Sequence, residues 1–318
     1  MKLTAAVAQS ATVLLDTPAT IERALGLMAE AAARGAELLV FPEAFIGGYP
    51  KGADFHIYLG GRTPQGRAEF KHYFDAAVTV DGPEIAQLAS AAAQHRMYLV
   101  VGIIERAGGT LYCTAVYIGA QGQVLGKHRK LMPTALERLV WGFGDGSTLQ
   151  AVDTPWGKLG AVICWENYMP ALRMAMYQQR VALYCAPTAD DRDSWASSMQ
   201  HIALEGRCFV LSACQHLRRS QFPDDRMNNR LPEAPDTVLM RGGSMIIDPL
   251  GRVLAGPVRD QDALLTAELD LSTIPMAQMD FDVVGHYARP DVFSLRVNTA
   301  AQNPVVMGPE TGLESRHV

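Results

Sequence analysis

The feature that most constrains the fold is a regular alternation between short apolar runs and longer segments with helical periodicity. In the first half of the 318-residue chain, runs typical of buried strands alternate with segments whose apolar side chains recur at helical spacing. The predicted elements are the strand Leu3–Gln9, the helix Pro18–Arg34, the strand Glu37–Phe41, a helix that opens at Gly82 and Pro83, the strand Tyr98–Ile104, and a hairpin of Leu111–Ile118 and Val124–Lys127.

A similar order recurs in the second half. The predicted elements are the strand Leu159–Ile163, the helix Pro170–Gln178, the strand Val181–Cys185, a helix capped by Asp193, the strand Cys208–Ala213, a hairpin of Ser244–Asp248 and Arg252–Ala255, and the strand Ala263–Leu269. Two such halves predict an α/β fold with two mixed sheets and helices on the outside. We expect one domain over residues 1–295 and a polar, irregular tail over 296–318.

Two polar interruptions separate the predicted elements. They span Lys51–Phe74 and Arg218–Arg241, and both are too long to be tight connections. Long segments without a predicted strand or helix are uncommon in compact domains unless they serve a function. We therefore interpret both as candidate functional loops.

Charge and hydropathy exclude several classes of protein. The chain has 28 basic and 33 acidic residues, a net charge of −5, and no Lys/Arg run that would neutralise phosphates, which argues against a nucleic-acid partner. No apolar run approaches the roughly 20 residues that span a bilayer. The apolar stretch at the N-terminus is too short for a signal peptide and is interpreted as a strand. We expect a cytoplasmic protein without a membrane partner.

The cysteines point to neither a disulfide framework nor a metal site. There are five of them, at 113, 164, 185, 208 and 214, an odd number without a CxxC pair. Scattered cysteines without His at ligand spacing do not indicate zinc either. If a thiol has a function, it acts singly.

Three polar residues follow predicted strands, which is where α/β folds place their chemistry. They are Glu43, Lys130 and Cys164. Each one alone has an ordinary interpretation: a solvated carboxylate, a basic surface cluster, and a small buried residue. Cys164, however, lies at a predicted strand-to-helix turn, where a side chain can be exposed near helix N–H groups.

Taken together, the segments around these residues resemble the nitrilase branch of the carbon–nitrogen hydrolases, whose members use a Glu–Lys–Cys triad. The matching segments are Phe41–Glu43, Gly47–Gly52, Lys127–Thr134, Glu137–Gly142, Cys164–Pro170 and Gly285–Phe293. The resemblance implies a four-layer αββα sandwich, in agreement with the alternation above. The chain departs from many nitrilases in having only a short segment after Phe293.

The resemblance implies a reaction and a role for each residue. Cys164 would attack a nitrile carbon as a thiolate, and Glu43 would act as the general base. Lys130 would stabilise the charge that develops on the substrate nitrogen and later on an oxyanion. Glu137 is carried over from the fourth matching block, with the role of holding Lys130. The alternative for Glu137 is an ordinary surface carboxylate beside Arg138. This scheme requires neither a metal nor an organic cofactor.

The expected activity is hydrolysis of a small-molecule nitrile to a carboxylic acid and ammonia. The form of the Cys164–Pro170 segment is more similar to aromatic and arylaceto-nitrilases than to aliphatic ones. An aliphatic amidase and a cyanide-hydrolysing enzyme are the alternatives within the family. A non-catalytic assembly or binding protein of the same fold is the alternative from another class, and the presence of Glu43, Lys130 and Cys164 argues against it.

Further residues are candidates for the pocket. Tyr49 and Trp165 flank the triad segments and would form its walls, although aromatic residues also simply fill cores. The Trp165 backbone N–H is a candidate oxyanion donor. His128 is an alternative base for Cys164, but packing or an indirect contact is the favoured interpretation. Cys113, Cys185, Cys208 and Cys214 lie in apolar strands and are interpreted as core residues.

The helix Pro170–Gln178 also predicts self-association. Its neighbourhood carries Met169, Leu172, Met176 and Tyr177, more large apolar side chains than one inner face needs. We therefore expect a homodimer or higher homo-oligomer in which this helix packs across a two-fold axis. The alternative is that these side chains merely cover the sheet.

Overall fold

The structure is a computed structural model that describes residues 1–222, 227, 230–303 and 305. Its strands are β1 (Lys2–Gln9), β2 (Leu38–Val40), β3 (Tyr98–Ala107), β4 (Thr110–Ile118), β5 (Val124–Arg129), β6 (Val152–Thr154), β7 (Gly157–Ala161), β8 (Val181–Thr188), β9 (Phe209–Cys214), β10 (His216–Arg218), β11 (Val238–Ile247), β12 (Val253–Arg259) and β13 (Ala263–Asp270). Its α-helices are α1 (Thr17–Ala33), α2 (Pro64–Ala76), α3 (Pro83–His95), α4 (Pro170–Gln178), α5 (Asp193–Gly206) and α6 (Thr273–Gln278).

The strands form two mixed sheets, as predicted. The first sheet has the order β13-β1-β2-β3-β4-β5, with β1, β2 and β3 parallel. The second has the order β10-β11-β9-β8-β7-β6, and β12 pairs with β11. The last strand of the chain, β13, runs antiparallel to β1, so the end of the second half completes the sheet of the first.

Alternating side chains along the strands create three apolar layers. In β1, Ala5 and Val7 point into a core shared by both sheets, whereas Ala6 and Ala8 point towards α1 and α3. On the far side of the second sheet, α4 and α5 pack over residues such as Tyr184 and Val210. The layers therefore run helix, sheet, sheet, helix, and the predicted four-layer αββα sandwich is confirmed.

One of the two interpreted loops contains a helix that the sequence did not predict. The segment 51–74 contains most of α2, which begins at Pro64 after Thr63, whose hydroxyl accepts from the N–H of Gly66 at 3.0 Å. A Thr followed by Pro is a helix start signal, and the polar outer face of α2 concealed its periodicity. The other interrupted segment, 218–241, falls partly outside the described residues, as does the predicted tail from residue 296.

The apolar side chains near α4 do not form an exposed surface. Leu172, Met176 and Tyr177 are buried by their own chain against the second sheet, and Met169 is partly buried beside them. These side chains therefore cover the sheet, which is the alternative interpretation given above. Self-association stays a prediction that these four residues do not support.

A hydrogen bond joins the two sheets directly below the predicted nucleophile. The Tyr117 hydroxyl, on β4, accepts from the backbone N–H of Ala161, the last residue of β7, at 2.8 Å. Both groups are buried. The bond fixes the end of β7 three residues before Cys164.

We expect Tyr117→Phe to lower the free energy of unfolding by about 1–3 kcal/mol, because it leaves a buried N–H without a partner. Denaturant unfolding measures the effect. Tyr98→Phe is the matched control, since no hydrogen bond from the Tyr98 hydroxyl is found within the described residues. A loss in Tyr117→Phe no greater than that of the control would contradict the assigned bond.

Candidate active site

Glu43 enters the site because the chain turns sharply after β2. Ala44 has a φ of 50°, and Gln215 donates from its side chain to the carbonyl of Glu43 at 3.1 Å. On the neighbouring strand, Gly102 makes room: a Cβ there would lie 2.1 Å from the carbonyl oxygen of Pro42. The segment thus lies against β3 and carries the buried Glu43 carboxylate into the space between the sheets.

Lys130 follows β5 and is buried together with its charge. Its backbone N–H donates to the carbonyl of Cys113 at 2.8 Å, which continues the β4–β5 pairing. Its ammonium donates to Glu43 Oε1 at 2.6 Å and to Glu137 Oε2 at 2.8 Å. Trp141 lies beside it, with the ring centroid 5.6 Å from Nζ. The ammonium is therefore held between two carboxylates.

Glu137 lies on a single 3-10 turn, Ala135–Leu139, and is fixed on both oxygens. Oε2 also accepts the backbone N–H of Thr134 at 2.6 Å, and Oε1 accepts the hydroxyl of Tyr49 at 2.8 Å. The structure thus places Glu137 against Lys130, as the resemblance implies. Tyr49, a predicted pocket wall, also orients Glu137, a role that its position in the sequence did not indicate.

Cys164 begins the 3-10 turn Cys164–Tyr168, which follows the end of β7 after two connecting residues. Its φ of 52° is in the left-handed region, a strained conformation for a residue with a Cβ. The Asn167 side-chain amide stabilises the turn by donating to the carbonyls of Val162 and Cys164, both at 2.8 Å. Thr188 Oγ1, at the end of β8, donates to Sγ at 3.2 Å. The predicted strand-to-turn placement of Cys164 is confirmed.

Glu166 ties the cysteine turn to the lysine segment. Its carboxylate accepts the backbone N–H of Ile163 at 2.9 Å and of Leu131 at 2.6 Å. His128 Nε2 lies 3.1 Å from the same carboxylate, and both side chains are buried. His128 therefore contacts Glu166 and supports the site indirectly, in line with the favoured interpretation.

Burial and neighbouring charges together raise the pKa of three groups in the site, which matters for proton transfer. The pKa of Glu43 is raised by burial, although the Lys130 charge opposes this, and the pKa of the Cys164 thiol is raised by burial and by the negative charge of Glu43. Burial alone would lower the pKa of Lys130, but the facing Glu43 keeps it well above its usual range. Cys164 therefore rests as a thiol beside a charged ammonium.

One oxygen of Glu43 has no donor. Within the described residues, Oε2 is buried and makes no hydrogen bond, whereas Oε1 accepts from Lys130. The nearby Cys164 thiol lowers the pKa of Glu43, but by less than burial raises it. The arrangement can pass a proton from thiol to carboxylate.

Trp165 forms the outer rim of the site. Its side chain is 43% exposed, and its indole N–H donates to Asp190 Oδ2 at 2.8 Å. The Arg192 guanidinium lies over the ring, 4.8 Å from its centroid. A cavity of about 200 Å³ opens at this rim, and its lining includes Tyr49, Lys51, Glu137, Cys164, Trp165 and Arg192. Cys164, although buried, thus faces a space that admits a small molecule.

A possible metal-ligating group lies outside this cavity. Ligand atoms of Asp54, His56 and Glu69 lie within 4.8 Å of one another. His56 Nε2 is 3.0 Å from Glu69 Oε1, and Arg230 Nε donates to Asp54 Oδ2 at 3.2 Å, so both carboxylates already have polar partners. The group does not contact Glu43, Lys130 or Cys164 and contributes nothing to the chemistry above.

Comparisons with known proteins agree with this geometry. The model of the carbon–nitrogen hydrolase family matches residues 4–277. The chain is 64% identical over 305 residues to an aliphatic nitrilase from Sinorhizobium fredii (strain HH103), covering 96% of this chain and 98% of the relative. It is 56% identical over 307 residues to a bifunctional nitrilase/nitrile hydratase NIT4A from Lupinus angustifolius, covering 95% and 87%.

A solved carbon–nitrogen hydrolase from Helicobacter pylori G27 shares the fold, with a TM-score of 0.73 and 19% identity over 92% of this chain and 97% of that one. The chain belongs to the carbon–nitrogen hydrolase family. Within that family it is an enzyme of the nitrilase branch, as the sequence segments indicated. The similarity to aromatic and arylaceto-nitrilases is not supported, because the relative at 64% identity is named an aliphatic nitrilase. No helix among the described residues has the length and apolar character needed to cross a membrane.

The geometry predicts selective thiol chemistry. Cys164 lines the cavity, whereas Cys113, Cys185, Cys208 and Cys214 are buried in strands or beside them. We expect a small alkylating reagent to add one equivalent per chain, at Cys164, before the other four react. Peptide mass spectrometry locates the adduct, and Cys164→Ala is the control that should remain unlabelled over the same time. Labelling of several cysteines at equal rates in the folded protein would contradict the prediction.

Proposed function

We propose that the protein hydrolyses an organic nitrile to the carboxylic acid and ammonia, with Cys164 as the nucleophile. The observation that supports this most directly is the buried group in which Lys130 joins Glu43 and Glu137 beside the Cys164 thiol. A binding protein gains nothing from burying a lysine and two carboxylates around a thiol, since desolvation makes such a group costly.

The first half of the reaction forms a thioimidate. Glu43 accepts the proton of Cys164 as the sulfur attacks the nitrile carbon, and one of the carbon–nitrogen π bonds becomes a lone pair on nitrogen. Lys130 stabilises that charge, and the proton held by Glu43 is passed to the nitrogen. The product of this half is a covalent thioimidate on Cys164 with the site restored to its resting charge.

The second half consumes two water molecules. Glu43 activates the first, which adds to the thioimidate carbon, and the tetrahedral intermediate expels ammonia to leave an acyl-thioester. The second water hydrolyses the thioester, releases the carboxylic acid and returns the proton to Cys164. Lys130 and the backbone N–H of Trp165 are the proposed oxyanion donors in these steps. In this scheme the protein's own groups perform every step of the reaction, without a metal or organic cofactor.

We further propose that the substrate is an aliphatic nitrile. The relative at 64% identity carries that name.

An amide is a second proposed product. The tetrahedral intermediate carries both nitrogen and sulfur, and loss of the thiol in place of ammonia releases the amide. The relative named a bifunctional nitrilase/nitrile hydratase, at 56% identity, supports this second route. The protonation state of the departing nitrogen, which Glu43 and Lys130 set, decides between the two products.

An ammonia-release assay tests the activity. We expect the wild type to release ammonia from an aliphatic nitrile faster than from an aromatic nitrile or from the matching aliphatic amide. Cys164→Ala should lower the rate by at least about 10³-fold, because no other group supplies the nucleophile, while its thermal unfolding stays close to that of the wild type. Ammonia from the amide alone would identify an amidase, and ammonia from neither would refute catalysis of this kind.

The negative charge of Glu137 predicts a pH effect. That charge helps to raise the pKa of Glu43. A base must be unprotonated to act, so activity falls as the pH drops through the pKa of Glu43. Glu137→Gln removes the charge and should move this acid limb of kcat/KM to lower pH, by about half a pH unit or more. It should also lower kcat, because Lys130 loses a charged partner.

The pH dependence of kcat/KM for the nitrile measures the Glu137→Gln shift. Glu84→Gln is the matched control, since Glu84 is partly exposed in the first turn of α3, which packs on the outer face of the first sheet. The control should leave the acid limb unchanged. An acid limb that moves to higher pH in Glu137→Gln would show that the charge of Glu137 does not act on the catalytic base in the way proposed.

A further inference from the structure

Cys113 contacts both Glu43 and Lys130, although the sequence indicates only a core residue. It lies on β4, where its carbonyl accepts the backbone N–H of Lys130 at 2.8 Å. Its Sγ lies 3.5 Å from Glu43 Oε1, within hydrogen-bond distance for a thiol. A single side chain and its backbone therefore touch the proposed base and its cationic partner.

The direction of the thiol bond is fixed by chemistry. Burial and the nearby charge of Glu43 raise the pKa of the Cys113 thiol well above its usual range, so it stays protonated. A carboxylate can only accept. The S–H of Cys113 therefore donates to Glu43, and Cys113 cannot compete with Cys164 as a nucleophile.

This bond distinguishes the two oxygens of Glu43. Oε1 accepts both the Lys130 ammonium at 2.6 Å and the Cys113 thiol at 3.5 Å. Oε2, among the described residues, accepts none and is buried. Donors from β4 and from the residue after β5 disfavour rotation of the carboxyl group, because rotation would exchange the oxygen with two donors for the oxygen without any.

We propose that Cys113 is a positioning residue whose thiol holds Glu43 Oε1, so that Oε2 is the oxygen that takes the proton from Cys164. The inference rests on the proposed function to the extent that Glu43 is its base. Cys113 touches no substrate; it acts through Glu43. Replacing it removes one of the two interactions that set the orientation and the basicity of that carboxylate.

Cys185 provides a matched control in the same core. It is as fully buried as Cys113 and lies on β8 in the layer between the two sheets. The pKa of its thiol is raised by burial and by Cys208, without a contribution from Glu43 or Lys130. The same substitutions at Cys185 therefore reproduce the change in packing without the change at the base.

The experiment compares Cys113→Ala and Cys113→Ser with Cys185→Ala and Cys185→Ser. We expect Cys113→Ala to lower kcat for the nitrile about tenfold with little change in KM, as loss of a bond to a charged group predicts. Its acid limb should move about half a pH unit higher, because a carboxylate that loses a donor is easier to protonate. Cys113→Ser keeps a donor and should retain more activity than Cys113→Ala.

If Cys113 acts through packing alone, the two Cys113 variants should not show this difference in activity. A buried hydroxyl without a partner is costly, so Cys113→Ser would then be no better than Cys113→Ala, and the Cys185 pair would behave in the same way. That order, or an acid limb that is unchanged in Cys113→Ala, would overturn the proposal. The pH at which the acid limb of kcat/KM lies does not depend on the fraction of a variant that is folded. A partly folded preparation therefore still tests the proposal.

A second readout separates this proposal from the proposed function. The alkylation rate of Cys164 by iodoacetamide, followed against pH by mass spectrometry, reports on the base without any nitrile. A shifted alkylation profile in Cys113→Ala, in a protein that releases no ammonia, would refute the nitrilase activity and support the positioning role. Nitrile hydrolysis with identical profiles in wild type and Cys113→Ala would support the activity and refute the positioning role.

Discussion

The placement of one buried ammonium between two carboxylates is the constraint on which the rest of the site depends. Taking Lys130 out of water is costly, and only opposite charges at hydrogen-bond distance offset that cost. Glu43 and Glu137 provide them, at 2.6 and 2.8 Å. With two negative charges and one positive, the group retains an excess negative charge, which suits a base more than it suits an anion-binding site.

The surrounding elements can be understood as the means of holding this group. Gly102 lets the Glu43 segment approach β3, the carbonyl of Cys113 takes the backbone of Lys130, and Tyr49 and Thr134 fix Glu137. These contacts come from β3, β4, the turn after β5 and the loop after β2. The first sheet thus builds the charged half of the site.

The second sheet contributes the proposed nucleophile and keeps it close to that charged half. Cys164 is strained at a φ of 52°. The strain persists because the side chains of Asn167, Glu166 and Thr188 form hydrogen bonds with Cys164 or with the residue before it. Glu166 also accepts the N–H of Leu131, so the turn is tied to the residue that follows Lys130. The two sheets therefore carry complementary parts of the proposed reaction, and their relative position determines whether the Cys164 thiol meets its proposed base.

The sequence predicted what is local and missed what depends on packing between distant segments. The ends of the strands, and hence the placement of Glu43, Lys130 and Cys164, follow from apolar runs, while the resemblance supplied their proposed roles. The contacts of Thr188 and Gln215 have no local signal, because each joins segments far apart in the chain. The burial of the apolar side chains near α4 against the second sheet has no local signal for the same reason. How much sheet a helix covers is set by tertiary packing, which periodicity does not contain.

The pKa values of the Cys164 thiol and of Glu43, its proposed base, are both raised, and this determines how the proposed reaction begins. A thiolate formed in advance would be stable beside Lys130 and correspondingly less nucleophilic, since nucleophilicity falls with pKa. Burial instead keeps Cys164 protonated and makes Glu43 a stronger base than a solvated carboxylate. In the proposed mechanism, the thiol loses its proton only as the sulfur attacks, and the proton stays on Glu43, within the site, where the substrate nitrogen needs it next. Burial raises the free energy of the charged group, and in the proposed mechanism the same burial couples the attack to the proton transfer that completes it.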